Sequence, residues 1–374
     1  MYYLCCCNDF LMIKQMENPF KFGTVVDKEH FTDRIDEQQE VRKVLESNNH
    51  LILISPRRFG KTSLVEKVTA KMDRPVISLD LQLITGINDF ASQLLKRVLK
   101  INKFERIKRL ISDFRIVPTI ELNPLSGNME ISFRPDAKEN FATLEDVFNL
   151  IDKLGEKGKR PIVVLDEFQE IVSLDKNLLK QLRSVIQHHK NVNYVFLGSL
   201  ESMMKAIFEN KKSPFYHFGH LMQLKKIPYT DFYDYLTRRL GKMTTKSNEL
   251  SAEILKFTDC HPYYTQQLAF YSWSYLEKND YSSSMINSLI DNVIQIHDTD
   301  YERLWNTINK TDKKLLIALS KNDSLDTIPL ATSTVYSGIK RLLTNGYLVK
   351  NISFEFDDPF FKYWISSRRE IQGN

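Results

Sequence analysis

Disulfide chemistry has almost nothing to work with in this chain of 374 residues: it holds four cysteines, three of them consecutive (Cys5, Cys6 and Cys7) and the fourth at Cys260. That distribution fits neither a disulfide framework nor paired-cysteine metal spacing, and it points to a reduced, cytoplasmic protein. Charge of one sign is also missing. With 52 basic against 47 acidic side chains the net charge is only +5, so no strongly acidic or basic partner is dictated and any nucleic-acid surface must be local. His188, His189, His217, His220 and His261 include no His-x-x-x-His pair and no partnering cysteines, which leaves no zinc-type ligand set. No run approaches the roughly 20 apolar residues that cross a bilayer. The apolar opening, Met1 to Met12, is short, contains Asp9 and lacks a basic flank and a small-residue cleavage site, so it reads as neither a signal peptide nor an anchor. Residues 1–16 are expected to be a disordered extension, with Met12 and Met16 as alternative starts. Internal repeats and low-complexity linkers are absent as well, and the length allows two or three domains with real cores.

What is present is a strand, a tight loop and a helix start at Leu51-Ile52-Leu53-Ile54-Ser55-Pro56-Arg57-Arg58-Phe59-Gly60-Lys61-Thr62-Ser63-Leu64. This matches the phosphate-loop pattern G-x-x-x-x-G-K-[ST] except that Ser55 stands at the first glycine. The residue types follow from the chemistry. Gly60 lets the backbone approach phosphate, successive N–H groups and the helix N-terminus face the anion, Lys61 reaches the β/γ oxygens and Thr62 supplies an oxygen to Mg²⁺. Arg57 and Arg58 are placed to contact phosphate or a neighbouring domain, although an exposed loop arginine is often merely solvated.

A second apolar strand, Pro161-Ile162-Val163-Val164-Leu165, ends in Asp166-Glu167. An isolated acidic pair there would be an ordinary solvated turn. Beside a phosphate loop it becomes a metal-holding carboxylate, Asp166, and a water-polarising base, Glu167, because the carboxyl ends of parallel strands converge on the same side of the sheet. A third short strand, Asn193 to Ser199, brings Ser199 near the third phosphate.

The alternation of elements predicts a parallel α/β core over residues 17–223. It comprises a helix from Glu37 to Leu45 capped by Thr32 or Asp33, a helix from Lys61 to about Met72, a strand from Pro75 to Leu81, and helices Leu144–Leu154 and Leu178–His189. An insertion near 104–140 carries a basic helix and an antiparallel hairpin, its strands around Ile120 and Ile131 joined through Pro-Leu-Ser-Gly. Residues 224–300 read as a helical domain, with helices Asp231–Leu240, Glu249–Phe257, Pro262–Leu276 and Met285–Ile296. Its aromatic residues follow helical spacing and are assigned to the core. Residues 301–374, with helices Lys313–Leu319 and Thr334–Thr344 before strands Tyr347–Lys350 and Ile352–Phe356, read as a winged helix. That unit holds eleven basic and eight acidic side chains. Tyr336, Lys340 and Arg341 are its candidate DNA contacts, against an equally open reading as an internal clamp.

With these residues in view the chain resembles an archaeal-type ATPase of the STAND branch of AAA+ proteins, a group also common in bacteria. The resemblance rests on Pro19-Phe20-Lys21-Phe22-Gly23, Phe31-Thr32-Asp33-Arg34, the loop from Pro56 to Ser63, the run Leu165 to Gln169, Gly198-Ser199, Cys260-His261-Pro262-Tyr263-Tyr264, and Asp358-Pro359-Phe360 with Trp364. It implies a P-loop core, a helical lid and a C-terminal winged helix, with ATP and Mg²⁺ as cofactors. Arg34 and Pro262 join Ser55 to Ser63 as nucleotide-binding residues, Lys61, Glu167 and Ser199 are catalytic, and Thr62 and Asp166 hold the metal. The implied function is an ATP-hydrolysing switch. The alternatives are a nucleotide-regulated DNA-binding protein and a non-hydrolysing nucleotide-bound adaptor, and a protein partner or self-association is a further expectation, without a membrane. Two positions depart from the family pattern. Ser213-Pro214-Phe215-Tyr216-His217 lacks the family's Tyr-Gly-Arg, leaving Arg238 and Arg239 as substitutes for its arginine, and Cys260 replaces a glycine.

Overall fold

The computed structural model describes residues 17–23, 34–101, 104–122, 129–133, 141–156, 159–350 and 353–371. Residues 1–16, the Pro-Leu-Ser-Gly turn and the Thr32 and Asp33 caps lie outside them. The first helix, α1 (Ile35–Glu46), starts from Arg34, whose backbone is left-handed at φ 58°. Strand β1 (Leu51–Ile54) follows, then α2 (Lys61–Thr69), β2 (Val76–Asp80), α3 (Ile87–Ile101), α4 (Phe104–Ser112), and the strands β3 (Thr119–Leu122) and β4 (Met129–Ser132) of the expected hairpin, paired antiparallel. After these come α5 (Phe141–Glu156), β5 (Ile162–Asp166), α6 (Ile171–Leu174), α7 (Leu178–Ile186), β6 (Asn193–Gly198), α8 (Glu201–Phe208) and β7 (His220–Gln223).

Strands β2-β5-β6-β1-β7 form one five-stranded sheet, in that order, parallel throughout. Its central strands are apolar on both faces because helices cover both. Ile52, Ile54, Val163, Leu165, Tyr194 and Phe196 face the layer built by α3, α5 and α7. Their alternates Leu51, Leu53, Ile162, Val164, Val195 and Leu197 pack against α1 and α2. The fifth strand, β7, went unread in the sequence.

The rest of the chain is helical: α9 (Tyr229–Leu240), α10 (Ser247–Thr258), α11 (Pro262–Leu276), α12 (Met285–Thr307), α13 (Lys310–Ser320) and α14 (Thr332–Thr344) precede the antiparallel pair β8 (Leu348–Lys350) and β9 (Phe354–Phe356), and α15 (Pro359–Ile371) closes it. Two differences from the sequence reading matter. Helix α12, expected to stop at Ile296, runs on to Thr307 across the 300/301 boundary, and its residues share one apolar cluster with Leu315, Leu342, Phe360 and Trp364 from beyond it. A terminal helix, α15, occupies what was read only as a motif.

The segment before α1 packs on the helices rather than on the sheet. Phe20, fully buried, sits edge-on to Tyr235 (6.1 Å) and Trp273 (6.2 Å), while Asn18 donates to the Phe270 carbonyl at 3.1 Å. The two ends of the described chain are thus joined through α11. Phe20→Ala removes a buried ring and is expected to cost about 3–5 kcal/mol; equilibrium unfolding in urea checks this, and an unchanged midpoint would show that Phe20 contributes no core contact.

Candidate nucleotide-binding site

Ile54 ends β1, and the loop to α2 wraps so that Arg58 (φ 63°) and Gly60 (φ 85°) take the left-handed conformation while Ser55 does not. Ser55 therefore carries no left-handed strain where the pattern has glycine. Its N–H donates to the Gly198 carbonyl at 3.3 Å, and its hydroxyl to Pro56 O at 3.1 Å. Lys61, first in α2 and buried, donates from Nζ to the carbonyls of Ser55 and Pro56, both at 3.2 Å. Burial lowers the Lys61 pKa, against the opposing pull of Glu167 and Asp166. Ser63 is buried in the next turn, and Arg57 is exposed.

Thr62 and Asp166 meet. Thr62 Oγ1 donates to Asp166 Oδ2 at 2.7 Å, and the other carboxylate oxygen accepts from the Glu167 N–H at 2.9 Å. Burial raises the Asp166 pKa, offset by these two hydrogen bonds and by Lys61. Glu167 is left-handed at φ 49°, a conformation that costs a non-glycine residue roughly 1–2 kcal/mol. Its Oε2 accepts from Ser199 Oγ at 2.6 Å and from Gln169 Nε2. Ser199 thus grips the carboxylate that the sequence reading pairs with water. Gln169, fully buried, does the same from the other side and was not singled out as a site residue. The signal available was its place two residues after Glu167, in a turn where an exposed polar side chain is the default expectation.

The remaining expected nucleotide ligands lie around the loop. Arg34 Nη2 donates to Phe59 O (3.2 Å) and Lys225 O (2.9 Å), and Nη1 pairs with Glu37 at 3.0 Å. In this arrangement its guanidinium ties the loop at Phe59 to Lys225 and Glu37. Phe59 meets the His261 ring edge-on at 4.9 Å. His261 caps α11 by accepting from the Tyr263 N–H, and Pro262 opens that helix. Arg58 leaves the loop for α11, donating to Tyr264 OH at 3.1 Å with its guanidinium 4.5 Å above the Tyr263 ring. Of its two expected roles, the contact with a neighbouring unit is the one made.

A cavity of about 840 Å³ opens between Pro56–Arg58, Ser199, the Tyr263 and Tyr264 side of α11, α12, and the Asp357-Asp358 turn after β9. Pro262 does not line it. Asp358 caps α15, accepting from the N–H groups of Phe360 (2.8 Å) and Phe361 (3.1 Å), from Tyr301 OH at 3.2 Å and from Tyr264. Burial raises its pKa. Asp357 Oδ1 stands 3.8 Å from His261 Nε2, and both atoms are buried without a hydrogen-bond partner among the described residues.

The expected DNA contacts lie on α14, whose last residues Leu343 and Thr344 line the cavity while Tyr336, Lys340 and Arg341 do not. Tyr336 is 72% exposed and Lys340 is exposed, but Arg341 donates to both oxygens of Asp312, at 3.0 and 2.6 Å. In this arrangement it holds α14 on α13. On α9, the Arg239 guanidinium lies 3.8 Å over the Tyr235 ring. The two departures from the family pattern are both left-handed, His217 at φ 51° and Cys260 at φ 55°. A glycine would hold either without strain, so each substitution keeps a strained backbone. Burial pushes the Cys260 thiol up to about 11, which makes it a poor nucleophile at neutral pH.

Among curated proteins no sequence matches the chain. A Walker-type ATPase of Pyrococcus abyssi has a similar structure, with a TM-score of 0.64 and 18% identity over 90% of this chain and 97% of that one. The ORC2 protein of Aeropyrum pernix, solved in ADPNP–ADP complexes, has a TM-score of 0.54 and 13% identity over 94% of this chain and 99% of its own. Both similarities establish the P-loop ATPase fold. The family described as the ATPase domain predominantly from Archaea matches residues 31–268, a span that contains the phosphate loop, Asp166-Glu167, Ser199 and the start of α11, and the chain belongs to that family.

Proposed function

We propose that the protein is an ATP-binding and ATP-hydrolysing switch in which Mg-ATP at the phosphate loop sets the position of the C-terminal unit. Residues 224–300 act as the lid and residues 301–374 as a winged helix. The observation that carries the reading is the polar chain from the loop to the C-terminal unit: Arg58 to Tyr264, Tyr264 to Asp358, and Asp358 to Tyr301. It couples one arginine of the phosphate loop to the cap of α15, so an anion that draws Arg58 away alters the support of that cap. Ligand-driven switching requires such a difference between two arrangements.

The donor set fits magnesium. A hydroxyl and a carboxylate are hard oxygen ligands, and Thr62 and Asp166 already lie together at the helix start, leaving the remaining positions to water and phosphate oxygens. No cluster of three or more His, Cys, Asp or Glu exists among the described residues that would favour a softer metal. Bound there, Mg²⁺ would neutralise charge on the β and γ oxygens. Lys61 would exchange the Ser55 and Pro56 carbonyls for phosphate oxygens. Glu167 would orient the attacking water and accept its proton as the γ-phosphate leaves ADP, with Ser199 and Gln169 fixing the carboxylate. The nucleotides in the Aeropyrum pernix ORC2 structure agree with this reading.

A second reading, DNA contact, is favoured by the open face of α14 at Tyr336 and Lys340.

Steady-state ATP hydrolysis with Mg²⁺ tests the main reading. Lys61→Ala and Glu167→Gln are expected to abolish turnover, and Gln169→Ala to lower kcat about tenfold to a hundredfold with KM nearly unchanged, the signature of a mispositioned base. Residual rates equal to wild type in Glu167→Gln would refute hydrolysis at this site. For the coupling, Tyr264→Phe removes the hydroxyl shared by Arg58 and Asp358, and limited proteolysis is expected to cut nearer the C-terminal unit faster and with less difference between ATP and ADP. An unaltered nucleotide-dependent pattern would remove Tyr264 from the switch. For DNA, Lys340→Glu is expected to weaken duplex binding and flatten its salt dependence; unchanged affinity would eliminate α14 as the contact.

A further inference from the structure

The amino-terminal ends of the sheet strands, at the opposite pole from the phosphate loop, carry a cluster for which ATP binding has no use. His50 precedes β1 and Gly219 precedes β7, and the two are packed hard together. A Cβ on Gly219 would stand 2.7 Å from the His50 carbonyl oxygen, which also accepts from the His220 N–H at 2.8 Å. Against these fixed walls lies a hollow of about 430 Å³ lined by Asn49, His50, Arg183, Gln187, His188 and His217, with no acidic side chain on its lining.

Arg183 and His50 are held in place. Arg183 donates from Nε to Pro214 O at 3.0 Å and stacks 4.2 Å over the Phe218 ring, while its Nη1 is buried with no partner among the described residues. His50 accepts the Tyr194 N–H at Nδ1 (3.2 Å), which leaves Nε2 as its protonated nitrogen, and its ring is wedged between Phe218 (4.7 Å) and Tyr194 (5.3 Å). Burial, together with the positive field of Arg183, His189 and Arg160, pushes its pKa down to about 4, so at neutral pH it is a neutral donor in a cationic surrounding. His217 lies on Tyr216 with ring centroids 3.9 Å apart and donates its N–H to Phe208 O. Two carboxylates of neighbouring elements are engaged elsewhere: Asp152 accepts from the Lys190 and Asn191 amides, and Glu40 pairs with His220 at 2.6 Å.

We propose that this hollow is a binding site for a phosphate group, with Arg183 supplying the charge and His50, His188 and His217 the surrounding donors. Arg183 lines the hollow with no acidic side chain beside it, so a doubly charged oxyanion there meets a guanidinium charge that no protein carboxylate on the lining neutralises. The site lies at the strand ends remote from the nucleotide and is independent of it. The phosphate belongs either to a free small molecule or to a nucleic-acid backbone.

The test uses the full chain carrying Lys61→Ala, which takes the phosphate loop out of the measurement. Titration with inorganic phosphate, at ionic strength held constant with chloride, is followed by calorimetry and by thermal unfolding. Saturable binding and a phosphate-specific rise in Tm are expected. Adding Arg183→Gln is expected to weaken apparent affinity at least about tenfold, and Arg183→Lys to restore part of it. Should Arg183→Gln fail to fold, His50→Gln with His217→Gln gives the same loss from the other wall. Absence of a phosphate effect beyond that of chloride, or an equal effect in the Arg183→Gln protein, overturns the site. A short DNA oligonucleotide that competes with phosphate in an Arg183-dependent way assigns the backbone as its source, and phosphate binding without oligonucleotide binding assigns the free anion.

Discussion

A parallel strand covered by helices on both faces can show polar chemistry only at its ends, and this constraint organises the molecule. Between their ends, β1, β5 and β6 are buried at every side chain that faces a helix layer. At the carboxyl ends stand Ser55, Asp166 and Ser199; at the amino ends stand His50, Asn193 and the Phe218-Gly219 turn. The register β1 to β6 to β5 fixes which polar groups become neighbours. That is why Thr62, at the start of the helix after β1, reaches Asp166, and why Ser199, one residue beyond β6, reaches Glu167. No loop flexibility is needed to assemble the carboxylate pair, so the geometry is set before any nucleotide arrives.

The same constraint explains what was legible. Leu51–Ile54, Ile162–Leu165 and Asn193–Gly198 read as strands because burial on both faces demands unbroken apolar runs, and the phosphate loop and acidic pair followed from their ends. Strand β7, His220-Leu221-Met222-Gln223, lies at the sheet edge, where only Met222 is buried, and it carries no such run. Helix α12 was cut short because beyond Ile296 its sequence, His297-Asp298-Thr299-Asp300, is polar, although Tyr301 on the same helix is buried. Ser55, at the first-glycine position of the pattern, needs no glycine, because the left-handed turns are at Arg58 and Gly60. What local pattern could not supply were partners distant in sequence. Arg34 to Lys225, Arg58 to Tyr264 and Tyr301 to Asp358 join residues that only the assembled fold brings together.

These long-range contacts also locate the junction on which the proposed switch would act. Around the cavity, most polar groups are satisfied, and the Asp358 cap accepts hydrogen bonds from two backbone amides and two tyrosines. One pair is not: His261 Nε2 and Asp357 Oδ1 face each other at 3.8 Å, too far to bond and too buried for water to compensate fully. His261 is tied through Phe59 to the phosphate loop, and Asp357 ends the strand that leads into the α15 cap. An unsatisfied pair at the junction of two units destabilises this arrangement relative to one in which the gap closes or opens to solvent. The hydrogen-bonded Arg58, Tyr264 and Asp358 chain opposes it. The proposed switch requires two arrangements close in energy, and opposing contacts at one junction are where a bound anion drawing on Arg58 would act on that balance.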